Sequence, residues 1–269
     1  MVENRVVLIT GTSSGFGRET ARLLLGRSFK VYGTSRNPSA KPQESGVGMI
    51  ALDVDSDDSV QNGVKDLLDE AGRLDVLVNN AGYVLTGGAE ETAIEEAKAQ
   101  FETDFFGPVR MAKAVLPTMR KQGSGQIINI SSMAAILPVP FEGYYAAAKA
   151  ALLAWSEALR HEVKRFGIKV SVIEPGFFKT NLGNTRKIAR YTIRDYDELR
   201  ERAMSTLDDD FRNGADPKIM AETVFRIITS KNPKLEYAVG SERRYKTLKH
   251  LMPQSTIENG VRRHWKLDG

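Results

Sequence analysis

A chain of 269 residues with 41% hydrophobic content can bury one sizeable core, and α/β chains of this size commonly form a single domain. The lack of cysteine excludes a disulfide framework, a thiolate metal site and a thiol nucleophile, and it suits a reducing compartment. The formal charge of +4 is concentrated in residues 241–269, where seven Lys and Arg face Glu242, Glu258 and Asp268; the rest is balanced, and with no binding motif present neither nucleic acid nor a metal ion is expected as a ligand.

The N-terminal MVENRVVLIT runs into an apolar strand without a basic leader or a small-residue cleavage site, so a cytoplasmic location is expected. Apolar stretches such as Ala146–Leu153 fall short of the roughly 20 residues that cross a bilayer, so no membrane span is expected. Strands are predicted at Arg5–Thr10, Phe29–Thr34, Gly48–Asp53, Leu74–Asn79, Gly125–Ser131, Ile168–Glu174 and Leu235–Val239. Helical patterns cover 16–27, 56–71, 90–121, 143–166 and 217–230, with Pro108 and Pro117 punctuating the third. Short β-branched runs alternating with longer helices predict a doubly wound α/β fold: seven parallel strands, helices on both faces, one domain over 1–269. Residues 181–215, highly charged and weakly periodic, follow the sixth strand, where an open sheet holds its ligand, and are read as a mobile substrate lid. Residues 241–269 are read as a basic extension forming a solvated surface or a subunit contact.

Directly after the first strand comes Thr10-Gly11-Thr12-Ser13-Ser14-Gly15-Phe16-Gly17. Gly11 allows a sharp turn, Gly15 lets backbone approach a pyrophosphate, and Gly17 lets the following helix pack closely on the sheet. The helix N-terminus offers free N–H groups and partial positive charge, and Ser13 and Ser14 add hydroxyl donors. The second strand ends in Ser35-Arg36, without the carboxylate that accepts a ribose hydroxyl. Arg36 instead presents a planar fork of donors suited to a 2′-phosphate, which favours NADP(H) and leaves NAD(H) possible.

Tyr145 and Lys149 stand four apart near the start of a strongly helical segment and so share one face. An ammonium about 4 Å away in an effective dielectric near 20 supplies roughly 4 kcal/mol toward ionising a phenol, the scale of a three-unit pKa decrease. Ser132 closes the fifth strand thirteen residues earlier, at the sheet edge where ligands bind; Ser131 and Tyr144 are neighbouring decoys.

The TGxxxGxG spacing, Asn79-Asn80-Ala81-Gly82 after the fourth strand, Asp53 after the third, and Pro175-Gly176 with Thr180 after the sixth together resemble the classical short-chain dehydrogenase/reductase family over nearly the whole chain. The resemblance implies a Rossmann-type oxidoreductase in which Tyr145 exchanges the proton, Ser132 positions the substrate oxygen, and Lys149 holds the ribose and lowers the phenol pKa. It adds Phe16, Val54, Asp53, Asn80, Ala81, Gly82, Pro175, Gly176 and Thr180 to the cofactor contacts, and a homodimer or homotetramer built on the long helices. The family pattern departs at Asp104, which stands where an asparagine is usual in the proton relay, and at Ala148, where a serine is common. Phe141-Glu142-Gly143-Tyr144-Tyr145 after Pro138-Val139-Pro140 resembles hydroxysteroid and retinol dehydrogenase members, implying hydride transfer to or from a bulky apolar ketone or secondary alcohol, steroid- or retinoid-like. Phe141, Phe177 and Phe178 are candidates for the apolar cleft or equally for the core. The competing reading is a non-catalytic NADPH sensor, with Asp104 as its main support; a sugar-nucleotide epimerase is disfavoured by the chain length.

Overall fold

A computed structural model describes residues 4–38, 44–179 and 186–268. The main sheet contains β1 (Val6–Ile9), β2 (Lys30–Ser35), β3 (Gly48–Ala51), β4 (Val76–Asn79), β6 (Gly125–Ile130), β7 (Ile168–Pro175) and β9 (Glu236–Val239). A small parallel pair joins β5 (Leu85–Thr86) to β8 (Lys187–Ile188). The seven strands are parallel in the order β3-β2-β1-β4-β6-β7-β9, as the alternating pattern predicts. The chain winds outward from β1 to β3, then returns to β4 on the other side. The carboxyl ends of β1 and β4 therefore diverge and open a crevice at this reversal point.

The helices are α1 (Gly15–Leu25), α2 (Asp57–Ala71), α3 (Ile94–Phe101), α4 (Gly107–Gln122), α5 (Gly143–Val163), α6 (Asp197–Arg212), α7 (Lys218–Thr229), α8 (Arg243–Leu251) and α9 (Gln254–His264). Both sheet faces are covered, so strand side chains are buried without alternation. Val6 and Leu8 pack with Leu67 of α2, Met111 and Val115 of α4 and Leu159 of α5. Val7 and Ile9 point the other way, onto Ala21 and Leu24 of α1 and Val224 and Ile227 of α7. These two apolar layers hold the carboxyl ends of the strands in place.

Three sequence expectations need correction. The helix expected over 90–121 starts at Ile94 and is broken by a wide turn at Glu102–Phe106, where the Gly107 N–H donates five residues back to the Glu102 carbonyl. Pro108 lies in the first turn of α4 and has no N–H for the Asp104 carbonyl, so the break precedes it. Pro117 sits on an exposed face inside α4 and ends nothing. The weak periodicity read in residues 181–215 missed a helix: Asp197–Arg212 form sixteen residues of helix, with Ala203, Thr206 and Leu207 buried at helical spacing beneath a charged outer face. The basic C-terminal segment presents a largely exposed face, as expected, but is not a loose extension. It folds back as α8 and α9, buries Trp265 against Ala203 and Leu207, and ties Lys246 to Glu174 of β7 and Glu236 of β9.

Candidate active site

The glycine loop crosses from β1 to α1 under the crevice. Gly11 and Gly15 have φ of +70° and +57°, the left-handed region that suits glycine. A Cβ on Gly17 would run into the Gly11 carbonyl, so this glycine permits the approach of α1 and, unlike the other predicted loop residues, does not line the crevice. The loop is latched from β4. Thr10 Oγ1 accepts the N–H groups of Asn80 and Ala81, each at 2.9 Å, and Asn80 Nδ2 donates to the Thr10 and Gly11 carbonyls. Ser14 is extended at the start of α1 and makes no side-chain cap, and the first turn carries no acid. Its N–H groups thus face a cleft of about 930 Å³ with their positive end uncompensated, the arrangement that receives a phosphate.

Gly11, Ser13, Ser14, Gly15 and Phe16 line one end of this cleft, with Ser35, Arg36, Asp53 and Val54 beyond them and Asn80, Ala81 and Gly82 above. Arg36 is exposed at the rim. Ser132, Tyr145, Lys149, Pro175, Gly176 and Phe177 continue the lining toward the other end. The donor set, a glycine cradle and an uncapped helix N-terminus, fits a nicotinamide dinucleotide. Thr180 lies outside the described residues.

Ser132 follows the last residue of β6 by two, while Tyr145 and Lys149 sit two and six residues into α5. The decoys are used elsewhere. Ser131 donates its hydroxyl to the Lys149 carbonyl at 2.9 Å, fastening α5 to β6, and Tyr144 donates to the Ala89 carbonyl. Ser132 Oγ accepts the Ala134 N–H at 3.0 Å, and Ser132 and Tyr145 both line the cleft. Lys149 Nζ donates to the Ile130 carbonyl at 3.1 Å and lies 5.8 Å from the Tyr145 ring centroid. Beneath them, Asn79 Nδ2 donates to Asn129 Oδ1 and Asn129 Nδ2 donates to Ser156 Oγ, both at 2.8 Å. This buried polar chain fixes β4, β6 and α5 relative to one another.

The electrostatics differ from the sequence expectation in one respect. Burial pushes the Tyr145 phenol above its ordinary value, and the nearby Asp104 carboxylate pushes it further up, against the pull of Ser132. The lysine that was expected to lower it is instead paired: Lys149 Nζ is 3.5 Å from Asp104 Oδ1. Asp104 is fully buried, accepts Gln100 Nε2, and has its pKa raised by burial to about 6 against the pull of Lys149. It stands behind Gly82, where a Cβ would meet its carboxylate, and is not part of the cleft lining.

Of the three phenylalanines considered for an apolar cleft, Phe177 and Phe178 line it and Phe141 does not. Phe177 packs edge-on to Phe211 and Trp265. Phe178, 1% exposed, borders the cleft from the core, edge-on to Phe16. Phe141 is absent from the lining and packs with the Ala203, Leu207 and Trp265 cluster. Sequence reasoning missed most of the far wall, including Val139, Leu248, Met252, Ile257 and Val261. It also missed Glu242, whose carboxylate accepts the Phe177 N–H at 3.2 Å and braces the Pro175–Gly176 turn, and Glu142, which lines the cleft beside the phenol. Only an apolar repeat at Leu248, Met252, Ile257 and Val261 signalled the role of the tail in the sequence.

A parallel doubly wound sheet with a glycine cradle at its reversal point and a Ser–Tyr–Lys group across from it defines a dinucleotide-dependent oxidoreductase. Residues 5–190 match the family model described as short chain dehydrogenase, and the chain belongs to the short-chain dehydrogenase/reductase family. It is 41% identical over 241 residues to a 3-ketodihydrosphingosine reductase of Bacteroides thetaiotaomicron, with 89% of each chain covered. It is 30% identical to a dehydrogenase/reductase SDR family member 7B of Xenopus tropicalis, over 87% of this chain and 77% of the other. Among solved structures it is similar to a short-chain dehydrogenase from Streptomyces avermitilis, with a TM-score of 0.80, 33% identity and 98% and 97% of the two chains covered. A serine dehydrogenase complexed with NADP+ matches with a TM-score of 0.75 and 26% identity, over 87% of this chain and 94% of the other. The chain is thus an enzyme acting on alcohol or carbonyl groups with a nicotinamide cofactor and a small-molecule substrate. No helix among the described residues is long and apolar enough to cross a membrane.

Proposed function

We propose that this enzyme reduces the ketone of a bulky, long-chain apolar substrate with NADPH, with Tyr145 as the proton donor. The observation that carries the reading is that Ser132, Tyr145 and Lys149 line one cleft together with an apolar wall contributed by Val139, Phe177 and the C-terminal helices. The 41% identical relative is named for a 3-ketone of dihydrosphingosine, which favours a long-chain ketone over a steroid or retinoid. The non-catalytic sensor finds no support among these relatives.

Bound NADPH supplies a hydride to the carbonyl carbon. Ser132 and Tyr145 hydroxyls together hold the carbonyl oxygen and stabilise the negative charge that grows on it. Tyr145, kept neutral by burial and by Asp104, has its proton available to give to that oxygen, the form required for reduction. Lys149, anchored by the Ile130 carbonyl and Asp104, stands beside the phenol and stabilises the tyrosinate left behind. Asp104 acts through Lys149 as a positioning residue. Arg36 at the rim supports a preference for the 2′-phosphate of NADPH, and residues 186–212 with the tail cover the substrate end. A cytoplasmic homodimer or homotetramer through the outer faces of α4 and α5 belongs to the same reading.

The test is loss of NADPH absorbance with long-chain 3-ketones. Tyr145→Phe lowers kcat by about 10²–10⁴-fold while the dissociation constant for NADPH stays within a factor of about three. A Phe variant as active as the wild type, or no turnover of any ketone, refutes the assignment.

A further inference from the structure

Glu142 is a buried acid on the wall of the cleft. It is 3% exposed, it stands three positions before Tyr145 where α5 begins, and its Oε1 is buried without a hydrogen-bond partner. The backbone alone makes the turn: the Glu142 N–H donates to the Val139 carbonyl at 3.2 Å, and its carbonyl accepts the Ala146 N–H at 2.9 Å. Phe141 before it is held at φ +63°, with its carbonyl accepting the Gly87 N–H at 2.7 Å; a non-glycine residue takes that conformation only at a cost. The chain is bent here in a way that puts a lone carboxylate on the wall of the cleft.

A buried carboxylate without a donor opposes folding, and burial pushes this one up to about 7 against the pull of Arg186. The described cations at this end of the cleft have partners elsewhere. Arg186 pairs with Asp208 at 2.7 Å, Lys187 lies 4.0 Å from the Tyr83 ring centroid, Lys249 donates to the Ile136 carbonyl, and Lys149 faces Asp104. Glu142 is nonetheless close enough to the reacting end for its charge to raise the Tyr145 phenol further. A ketone whose oxygen rests on Ser132 and Tyr145 brings the substituents of its α-carbon to the same end of the cleft. A protonated amine on that carbon gives Glu142 the donor it lacks, whereas a purely apolar substituent leaves the carboxylate stranded and an acidic one is repelled.

We infer that Glu142 forms an ammonium subsite, so that the enzyme selects ketones carrying a protonated amine next to the carbonyl over equally long ketones without one. This rests on the ketone-reduction reading and narrows its substrate class. The charged pair also sets the substrate's orientation, with the amine toward α5 and the apolar chain toward α8 and α9.

The experiment compares kcat/KM for two long-chain 3-ketones that differ only in an amine at C2, in the wild type and in Glu142→Gln, which keeps the shape and removes the charge. The expected preference of the wild type for the amino ketone is about 10- to 100-fold, the effect of one charge-assisted hydrogen bond; it collapses toward one in E142Q, and N-acetylation of the amine abolishes it in the wild type. Should E142Q fail to fold, the wild-type comparison of the free amine, the acetylated amine and the plain ketone still decides the matter. Turnover of both ketones with equal efficiency, or a preference that survives in E142Q, overturns the subsite and leaves the reductase reading standing; no NADPH oxidation with any of them overturns both.

Discussion

The carboxylate of Glu142 has a consequence for stability that is independent of any substrate. Its pKa rises from the ordinary 4.5 to about 7 on burial. The folded state therefore holds the proton more tightly than the unfolded chain, and the stability this provides is fully present below pH 4.5 and lost as pH rises through 7. At about 1.4 kcal/mol per unit, ionised Glu142 costs the fold about 3 kcal/mol above neutrality. A neutral glutamine amide at this position carries no such cost, so Glu142→Gln and the wild type should have similar stability near pH 4.5, diverge between 4.5 and 7, and differ by about 3 kcal/mol in favour of the variant at pH 8. For a chain of this size that is roughly 6 °C or more in Tm. Urea unfolding and thermal melts of both proteins at pH 5 and pH 8 measure it. A variant less stable than the wild type at pH 8, or a difference independent of pH, would mean that the carboxylate is satisfied within the fold, and the argument for it as a binding group would lose its basis.

Arg36→Ala should raise KM for NADPH by about 10- to 100-fold, the loss of a charge-assisted pair, and leave KM for NADH within about a factor of three; equal effects on both cofactors would refute the role at the 2′-phosphate. Asp104→Asn removes a carboxylate that raises the Tyr145 pKa and neutralises Lys149 above pH 6. The phenol then ionises more easily, and the rising limb of kcat/KM against pH for alcohol oxidation should move down by about one unit; an unmoved profile makes the Asp104 side chain a bystander. Lys246→Ala strands Glu174, a carboxylate whose side chain is fully buried, and should destabilise by about 3–5 kcal/mol. Because Lys246 ties α8 to β7 and β9, KM for the long-chain ketone should rise with it, and an unchanged Tm and KM would show the tail to be held by packing alone.

The parallel sheet and the nucleotide end of the cleft were readable from the chain because both depend on local signals. Short buried strands alternate with amphipathic helices, and Gly11, Gly15 and Gly17 stand where a strand turns into a helix; each is a statement about neighbours in sequence. Tyr145 and Lys149 were equally legible, since four residues on a helix share a face whatever the rest of the molecule does. The break before α4 was not, because it depends on Gly107 reaching back five residues instead of four, and proline alone drew attention to positions one to ten residues too late.

Sequence determined the fold class, the cradle and the shared helix face of Tyr145 and Lys149, which follow from periodicity and spacing along a few turns of chain, while the catalytic roles of Ser132, Tyr145 and Lys149 are what the family resemblance implies. The tertiary structure decided the charge state around them and the shape of the substrate end. Lys149 meets Asp104 only because α5 packs against the turn after α3, and Glu142 is stranded only because the surrounding elements bury it while committing their cations elsewhere. The basic tail becomes a wall of the cleft only when Trp265 finds Leu207. A pKa and a cavity are properties of what surrounds a group in space, and those surroundings are brought together from segments dozens of residues apart.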